Sequence, residues 1–253
     1  MGASATVYGL HAVRALLLRS PQRVLRLYLD ARREDPRMRE LLQLVQQCGV
    51  KAERVETRVL AARVGEASHQ GVVAEVEPLP AWQEDELVAA VTAAAAPLVL
   101  VLDGVQDPHN LGACLRTADA CGVLAVVVPK DRAAGMNATV RKVAAGAAET
   151  VPLATVTNLA RALRLLKDAG QWIVGADMAG EGFAWQADLA GSKAIVMGGE
   201  GDGLRELTRK SCDFLVRLPQ FGAIESLNVS VACGMLLYEA VRQRAAAPAP
   251  RSR

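Results

Sequence analysis

From Leu98 onwards the chain repeats one pattern, in which a short apolar run is followed by a loop and then by a helical periodicity. The apolar runs predict strands at residues 98–102, 124–128, 171–176, 193–197 and 213–218. Helices are predicted after these strands, at 111–121, 137–145, 158–169, 204–212 and 229–243. Strands that are apolar along their whole length are buried on both faces, and alternation with helices favours parallel pairing. The second half of the chain is therefore predicted to be an α/β domain built on a parallel sheet.

Residues 6–76 predict a separate and smaller α/β unit. Helical periodicity covers 9–18 and 37–48, and short strands are predicted at 24–29, 50–55 and 71–76. After this unit Pro78, Pro80 and several acidic residues interrupt the apolar period, as in a linker. We therefore predict a first domain at 1–76, a linker and connecting helix at 77–96, a second domain at 97–245 and a disordered tail at 246–253.

The composition is that of a globular protein and limits its partners. The 253 residues are 51% hydrophobic and 22% charged, and the formal net charge is only +2. Affinity for nucleic acid would therefore depend on local patches of positive charge. Five cysteines without a C-x-x-C pair predict reduced thiols and no structural zinc. No apolar run approaches the ~20 residues of a membrane span, so we expect a cytoplasmic protein without a membrane partner.

The loop between the last strand and the last helix has the composition of a binding loop. Pro219 ends the strand, and Ser226 and Asn228 precede the helix, where either side chain can cap unpaired N–H groups. Capping alone explains any single one of these residues. The loop also contains Gly222 and the apolar Leu227, and it lies where open α/β sheets bind ligands, at the carboxyl end of a strand. The combination predicts a ligand site.

A second candidate region follows the first strand of the parallel sheet. Asn110 lies at the start of the next helix and Arg116 in its middle, and we expect the helix to hold both near the carboxyl edge of the sheet. An arginine in mid-helix is usually a solvated side chain or part of a surface ion pair. Only its spacing with Asn110 and Asp119 after a buried strand makes Arg116 a functional candidate.

A glycine-rich run, Gly198-Gly-Glu-Gly-Asp-Gly203, follows the strand at 193–197. Such a run can be the phosphate loop of a Rossmann-type dinucleotide or methyltransferase domain. That loop follows the first strand and needs several later strands and an acidic residue about 20 positions on. Only one predicted strand remains here, so the glycines are predicted instead to let the backbone approach a ligand and to begin a helix.

Together the three regions resemble the three motifs of the SpoU/TrmH branch of the SPOUT methyltransferases, and they span Asp103–Glu239. In chain order, the region of Asn110 and Arg116 resembles the first motif, the glycine-rich run the second, and the loop with Ser226 and Asn228 the third. Residues 6–76 look like the L30e-like RNA-binding domain that precedes this fold in the bacterial 23S rRNA guanosine 2′-O-methyltransferases. The similarity includes the sequence segments at 107–116 and 126–132. It implies a C-terminal trefoil knot, S-adenosylmethionine bound in a bent shape between the second and third motif loops, and an obligate homodimer.

The resemblance also implies roles for individual residues. The implied catalytic group is Asn110, Arg116, Glu200, Ser226 and Asn228. The implied cofactor-binding residues are Gly198, Gly199, Gly201, Leu218, Leu227 and Asn228. No metal is implied, because the sulfonium methyl group is already activated. Arg116 is proposed in the family as the general base, but a guanidinium is not deprotonated in proteins, so stabilisation of the developing alkoxide is weighted at least as heavily.

The implied activity is 2′-O-methylation of a guanosine ribose in the peptidyl-transferase region of 23S rRNA, during ribosome biogenesis. A tRNA 2′-O-methyltransferase of the same family is the first alternative, although those enzymes generally carry short helical extensions in place of the 6–76 unit. A non-catalytic RNA-binding homologue is the second, although all five catalytic candidates are present. The sequence leaves open which residues act from the partner subunit.

Overall fold

The structure, a computed structural model, describes residues 4–65, 68–199, 201, 203–224 and 226–246. The chain forms two compact units. The first comprises the residues up to Pro80 together with Ala145–Thr150, and the second comprises the rest of the chain from Ala81. No helix within the described ranges is both long enough and apolar enough to cross a membrane.

The first unit is a mixed sheet with helices packed on it. Its described elements are β1 (Ala5–Tyr8), α1 (Leu10–Arg19), β2 (Val24–Asp30), α2 (Pro36–Gln47), β3 (Ala52–Val55), α3 (Thr57–Val64) and β4 (Val72–Val76). The strand order is β1-β4-β2-β3, with β4 antiparallel to both of its neighbours and β3 parallel to β2. The predicted helices and strands are found, each within two residues of its expected ends. The sequence did not predict β1 or α3, because β1 is short and α3 fully buries Leu60 alone, which leaves no apolar period.

The segment Ala145–Thr150 folds as part of this first unit, although the sequence predicted it inside the domain at 97–245. Arg23 binds it: Nη1 donates to the Glu149 carbonyl oxygen at 2.8 Å and Nη2 to the Glu149 carboxylate at 2.6 Å. Both side chains are buried, with 9% and 3% of their surfaces exposed. Gly146 adopts a left-handed φ of +100°, and a Cβ there would collide with Ala12. These contacts join positions more than 120 residues apart, which no local pattern indicates.

The second unit is built on a parallel sheet, as predicted. Its described elements are α4 (Glu84–Ala93), β5 (Leu98–Asp103), α5 (Pro108–Ala120), β6 (Ala125–Pro129), α6 (Ala138–Ala144), β7 (Leu153–Val156), α7 (Leu159–Asp168), β8 (Trp172–Ala176), β9 (Gly182–Phe183), β10 (Lys193–Gly198), α8 (Glu206–Ser211), β11 (Phe214–Arg217) and α9 (Val229–Ala246). The strand order is β7-β6-β5-β10-β8-β11-β9, and each neighbouring pair in that order is parallel. The short strands β7 and β9 were not predicted. The trefoil knot stays a prediction.

The second unit begins earlier than the predicted boundary at residue 97. The backbone N–H of Trp82 donates to Leu153 at 2.9 Å, which adds this residue to the edge of the sheet, and Leu87 and Val91 of α4 lie in the core. The acidic residues interpreted as a linker are the first turn of α4. Glu86 accepts a hydrogen bond from the backbone N–H of Gln83 at 2.8 Å, as in a capping box. The predicted linker at 77–96 is thus divided between the two units.

The order of the strands brings the three motifs to one edge of the sheet. β10 lies between β5 and β8, and β11 lies on the far side of β8. Because the carboxyl ends of parallel strands meet at the same edge, the loops that follow these strands gather there. At the end of the chain, α9 continues through Ala246, so the predicted tail at 246–253 starts at least one residue too early. Residues 247–253 lie outside the described part.

Candidate active site

The first and third motifs are joined by a side-chain hydrogen bond. Asn110 lies in the first turn of α5, which Asp107 caps by accepting the N–H of His109 at 2.9 Å. Asn228 caps α9, because its Oδ1 accepts the N–H of Ser230 at 2.9 Å. The Nδ2 of Asn228 then donates to Oδ1 of Asn110 at 3.0 Å. Asn228 is thus both a helix cap and a partner of the first motif. Ser226 makes no capping bond with the part of the chain that the structure describes.

A cavity of about 580 Å³, here called the glycine-loop cavity, lies at the carboxyl ends of β8, β10 and β11. The second and third motifs both contribute to its wall. Seven predicted site residues line it, and these are Gly198, Gly199, Gly201, Leu218, Ser226, Leu227 and Asn228. The structure therefore brings all the predicted cofactor-binding residues together. Glu200 lies outside the described residues.

The glycines of the second motif first of all make the loop itself. A Cβ at Gly198 would overlap the backbone of Gly203 and Leu204, and one at Gly199 would lie 2.6 Å from the carbonyl oxygen of Gly104. Gly201 and Gly203 adopt left-handed φ values of +89° and +65°. From the sequence we expected that a ligand would need this space. At Gly198 and Gly199 the space is instead occupied by the protein's own backbone.

Several further residues line the glycine-loop cavity and were not predicted as site residues, among them Asp177, Met178, Arg209 and Gln220. Asp177 is nearly buried and pairs with Arg209 at 2.8 Å. Gln220 donates to the sulfur of Met178 at 3.8 Å, while its buried Oε1 has no donor in the part of the chain that the structure describes. The signal that could have indicated Asp177 and Met178 is their position directly after β8.

A second cavity of about 650 Å³, here called the α5 cavity, lies at the loop between β5 and α5. It adjoins the glycine-loop cavity, because Gly199 and Gly203 line both. Asn110 lines the α5 cavity, so its hydrogen bond to Asn228 connects the two. The fully buried carboxylate of Asp103 accepts hydrogen bonds from Arg205, from the backbone N–H at 3.1 Å and from Nε at 2.5 Å. This ion pair fixes one wall of the α5 cavity.

Among the predicted site residues that the structure describes, Arg116 is the one that it does not bring to these cavities. It is exposed on α5 and lines neither of them. Asn110 and Arg116 are six positions apart, which is about 9 Å along a helix and roughly 240° around it. The expectation that α5 holds these two side chains together is therefore wrong within one chain.

Two cysteines of the second unit, Cys212 and Cys233, are not suited to nucleophilic chemistry. A hydrogen bond with Cys114, together with burial, raises the pKa of the Cys233 thiol well above its usual value. Burial raises the pKa of Cys212 to about 12. Both groups therefore stay protonated at neutral pH. In the described ranges, no group of three or more His, Cys, Asp or Glu side chains is arranged to hold a metal ion.

Comparison with known proteins gives matches to both units. Residues 97–238 match the model of the SpoU rRNA Methylase family, and residues 6–82 match the model named RNA 2′-O ribose methyltransferase substrate binding. The 23S rRNA (guanosine-2′-O-)-methyltransferase RlmB of Vibrio vulnificus is 52% identical, with 95% of this chain and 97% of that protein covered. The RlmB protein of Escherichia coli K12 is 48% identical, with 95% and 99% covered.

A solved structure has the same fold along nearly the whole chain. It is the SpoU methyltransferase AviRb from Streptomyces viridochromogenes in complex with the cofactor AdoMet. The TM-score is 0.71 at 26% identity, with 96% of this chain and 92% of that chain covered. The predicted SPOUT class of fold is confirmed by this likeness. From the family match over more than half of its length, the chain belongs to the SpoU rRNA methylase family.

Proposed function

We propose that this chain transfers the methyl group of S-adenosylmethionine to the ribose 2′-hydroxyl of a guanosine in 23S rRNA. This activity is supported by the family match and by the similarity, along 95% of the chain, to two 23S rRNA (guanosine-2′-O-)-methyltransferases. Within the molecule, one observation supports this activity most strongly. Two adjoining cavities share Gly199 and Gly203, and Asn228 in the lining of one cavity is hydrogen-bonded to Asn110 in the lining of the other. A methyl donor and its acceptor need two sites that meet in this way.

The glycine-loop cavity fits S-adenosylmethionine. Its volume of about 580 Å³ is within the usual range of small-molecule sites, about 300–1,000 Å³. The buried Oε1 of Gln220, which has no donor among the described residues, is an acceptor that a ligand amino group can satisfy. We assign the backbone groups of Gly198, Leu218 and Leu227 to the adenosine part. When bound, the cofactor supplies a methyl group that its sulfonium charge has already activated.

The residues of this chain contribute mainly by positioning. Alignment of two reactants can contribute about 7–11 kcal/mol, whereas a general base typically adds ~10²–10⁴-fold in rate. Asn110 is buried and held by Asn228, so its amide has a fixed orientation at the junction of the cavities. We assign Asn110 and Asn228, with Ser226 and Glu200, to orienting the acceptor hydroxyl and the cofactor.

We place Arg116 in the catalytic group as a cation that stabilises the developing alkoxide. Because it lines neither cavity of its own chain, we assign it to the site of a partner subunit in a homodimer. An exposed apolar stripe on α9 supports a dimer. Val231, Met235 and Tyr238 are 48%, 50% and 70% exposed, and their spacing places them on one helical face. A second copy of the chain would cover this stripe.

We assign capture of the RNA to the first unit. Its surface carries many arginines despite the small net charge of the protein. Exposed examples are Arg14, Arg26, Arg32, Arg37, Arg39, Arg54 and Arg58. Arginine contacts to phosphates supply most of the affinity of RNA-binding surfaces without fixing sequence. We further place the target guanosine in the peptidyl-transferase region and the protein in the cytoplasm, where ribosomal RNA is processed.

The test is methyl incorporation from labelled S-adenosylmethionine into 23S rRNA and, in parallel, into bulk tRNA. Both RNAs are prepared without the corresponding modification. We expect one equivalent of label in 23S rRNA, at a single nucleotide of the peptidyl-transferase region, and background levels in tRNA. Preferential labelling of tRNA would favour the tRNA enzyme of the same family, and absence of label from both would favour a non-catalytic RNA-binding protein.

A further inference from the structure

The α5 cavity has unused hydrogen-bonding capacity beside the point where the methyl group is transferred. This inference rests on the proposed function, in which the cavity faces the acceptor nucleotide. Its volume of about 650 Å³ is sufficient for a nucleoside. One of its charged pairs is already satisfied, because Asp103 and Arg205 neutralise each other. The charged side chains left in the lining for a ligand are Asp107 and Arg132.

Asp107 lines the α5 cavity and is one of its two charged residues without an ion-pair partner among the described residues. Its Oδ1 accepts the N–H of His109 and so caps α5, which fixes the orientation of the carboxylate. The other oxygen, Oδ2, has no hydrogen-bond donor in the part of the chain that the structure describes. A carboxylate accepts hydrogen bonds and cannot donate them. The group therefore selects a ligand edge that carries N–H donors.

Arg132 presents donors to the same cavity from the loop after β6. Its backbone has a left-handed φ of +59°, which is uncommon for a residue other than glycine and is concentrated at functional sites. Within the described residues, its guanidinium makes no hydrogen bond or ion pair. The N–H of Ala134, two residues on, donates to the carbonyl oxygen of Val105 at 2.8 Å. This bond ties the loop of Arg132 to the loop that carries Asp107.

A carboxylate can accept from two neighbouring donors, and a guanidinium fork can donate to two neighbouring acceptors. Among the four bases, only guanine carries both a pair of neighbouring N–H donors and a pair of neighbouring acceptors on its ring edges. Guanine carries donors at N1 and N2 and acceptors at O6 and N7, whereas adenine has an acceptor at N1 and a donor at N6. Proteins that read RNA sequence contact such edges on bases that have left the helical stack. We propose that the α5 cavity binds the base of the target guanosine, with Asp107 accepting from N1 and N2 and Arg132 donating to O6 and N7.

The experiment measures kcat/KM of the full chain on a synthetic 23S rRNA fragment whose target nucleotide is varied. Guanosine is compared with inosine, which lacks the N2 amino group, and with 7-deazaguanosine, which lacks the N7 acceptor. Wild-type protein is expected to prefer guanosine over each analogue by roughly 10- to 100-fold. Equal rates on guanosine and inosine in the wild type would overturn the proposal.

Two variants assign the preferences to side chains. Asp107→Asn keeps the cap of α5, because Asn and Asp cap equally well, but it should abolish the preference over inosine. Arg132→Asn should abolish the preference over 7-deazaguanosine. Asn is chosen because it adopts the left-handed backbone conformation more readily than most residues. The control is Asp131→Asn, which removes one negative charge, as Asp107→Asn does. Asp131 is exposed, lies next to Arg132 and is not part of the cavity lining, so this variant should keep both preferences. Cofactor affinity measured by calorimetry should be unchanged in all three variants.

The possible failures are distinguishable. An Asp107→Asn variant that still prefers guanosine over inosine would overturn the proposal, as would an Asp131→Asn control that loses this preference. An Arg132→Asn variant that loses activity equally on guanosine and 7-deazaguanosine would indicate a phosphate contact and overturn the assignment of Arg132 to the base. If instead the wild type does not methylate the guanosine fragment at all, the proposed function itself fails.

Discussion

The side-chain amide of Asn228 donates a hydrogen bond of 3.0 Å to the side-chain carbonyl of Asn110, although 118 positions separate the two residues in the chain. Asn228 lines the glycine-loop cavity and Asn110 lines the α5 cavity. The bond therefore fixes the geometry at the junction between the site assigned to the cofactor and the site assigned to the acceptor. It also connects the start of α5 to the start of α9.

Asn228→Asp tests this bond without removing the cap of α9, because aspartate caps as well as asparagine. The substitution replaces the donor by a second acceptor, so Asn110 must turn its amide over or lose its partner. We expect kcat/KM to fall roughly 10- to 100-fold, as for a loss of about 1–3 kcal/mol. Ser230→Ala is the control, since it removes a different hydrogen bond to Asn228 and leaves Asn110 untouched. Equal losses in the two variants would contradict a special role for the pair.

Gly198→Ala is expected to abolish measurable cofactor binding in calorimetry. The added Cβ would overlap the backbone of Gly203 and Leu204, so the loop that lines both cavities must move. Gly135→Ala is the matched control, because a Cβ there meets nothing within 4 Å and the residue lines neither cavity. Unchanged affinity in Gly198→Ala would show that the cofactor binds elsewhere.

Glu239 is expected to make the stability of the second unit depend on pH. A hydrogen bond from Arg242, followed by one from Gln243, lowers the pKa of this carboxyl from 4.5 to about 2. Because the pKa is lower in the folded state, the ionised group stabilises the fold above pH 4.5, and this contribution is lost as the pH falls from 4.5 towards 2. In urea denaturation at pH 7, Glu239→Gln should be less stable by about 1 kcal/mol or less.

At pH 3 the difference between Glu239→Gln and the wild type should shrink. Glu206→Gln is the control, because Glu206 is 80% exposed and its ion pair is with Lys210, one turn away on α8. A deficit of Glu239→Gln that is the same at pH 7 and pH 3 would contradict the role of the ionised carboxylate.

Glu149→Gln is expected to destabilise the first unit. The substitution leaves the buried Arg23 without its counter-charge, and breaking such a pair typically costs about 3–5 kcal/mol. We expect the lower end of that range, because the backbone carbonyls of Glu77 and Glu149 still accept hydrogen bonds from Arg23. Urea denaturation measures the loss in the free energy of unfolding. The control is Glu56→Gln, which breaks the exposed ion pair of Glu56 and Arg58. A smaller loss of stability in Glu149→Gln than in Glu56→Gln would contradict the predicted role of the buried pair of Arg23 and Glu149.

The parallel sheet could be predicted from the sequence because its strands carry their own signal. Leu98–Asp103 is buried at each position, and a run of this kind has few other structures open to it. The start of α4 was mistaken for a linker, since the acidic residues that cap and begin a helix have the same composition as a solvated connection. Local composition therefore predicts the middle of an element better than its ends.

The site could be predicted only in part. The glycine-rich run and Asn228 follow strands, and that position indicated a ligand edge. The bond between Asn228 and Asn110 depends on how α5 and α9 pack, and the segment at 145–150 depends on Arg23, more than 120 residues away. Gln220 could not be predicted, because its place in the cavity follows from the order of β8 and β11 in the sheet.

Arg116→Ala is expected to keep the cofactor affinity and the denaturation midpoint of the wild type while turnover collapses. This is the pattern of an interaction made in the transition state. Arg116→Lys should retain a measurable fraction of turnover, because an ammonium still supplies charge although it loses the planar fork. The pH–rate profile of the lysine variant should show no new ionisation. A new ionisation that follows the lysine would favour a general base, and wild-type rates in Arg116→Ala would remove this residue from the mechanism.

The methyl transfer that we propose can be read out by nucleoside analysis by mass spectrometry of unmodified 23S rRNA after incubation with the protein and S-adenosylmethionine. The measurement identifies both the nucleoside and the atom that receive the methyl group. We predict 2′-O-methylguanosine at one position, in amounts that approach one per RNA molecule. A methyl group on a base, on the ribose of another nucleoside, or on no nucleoside would contradict the proposed 2′-O-methylation of guanosine.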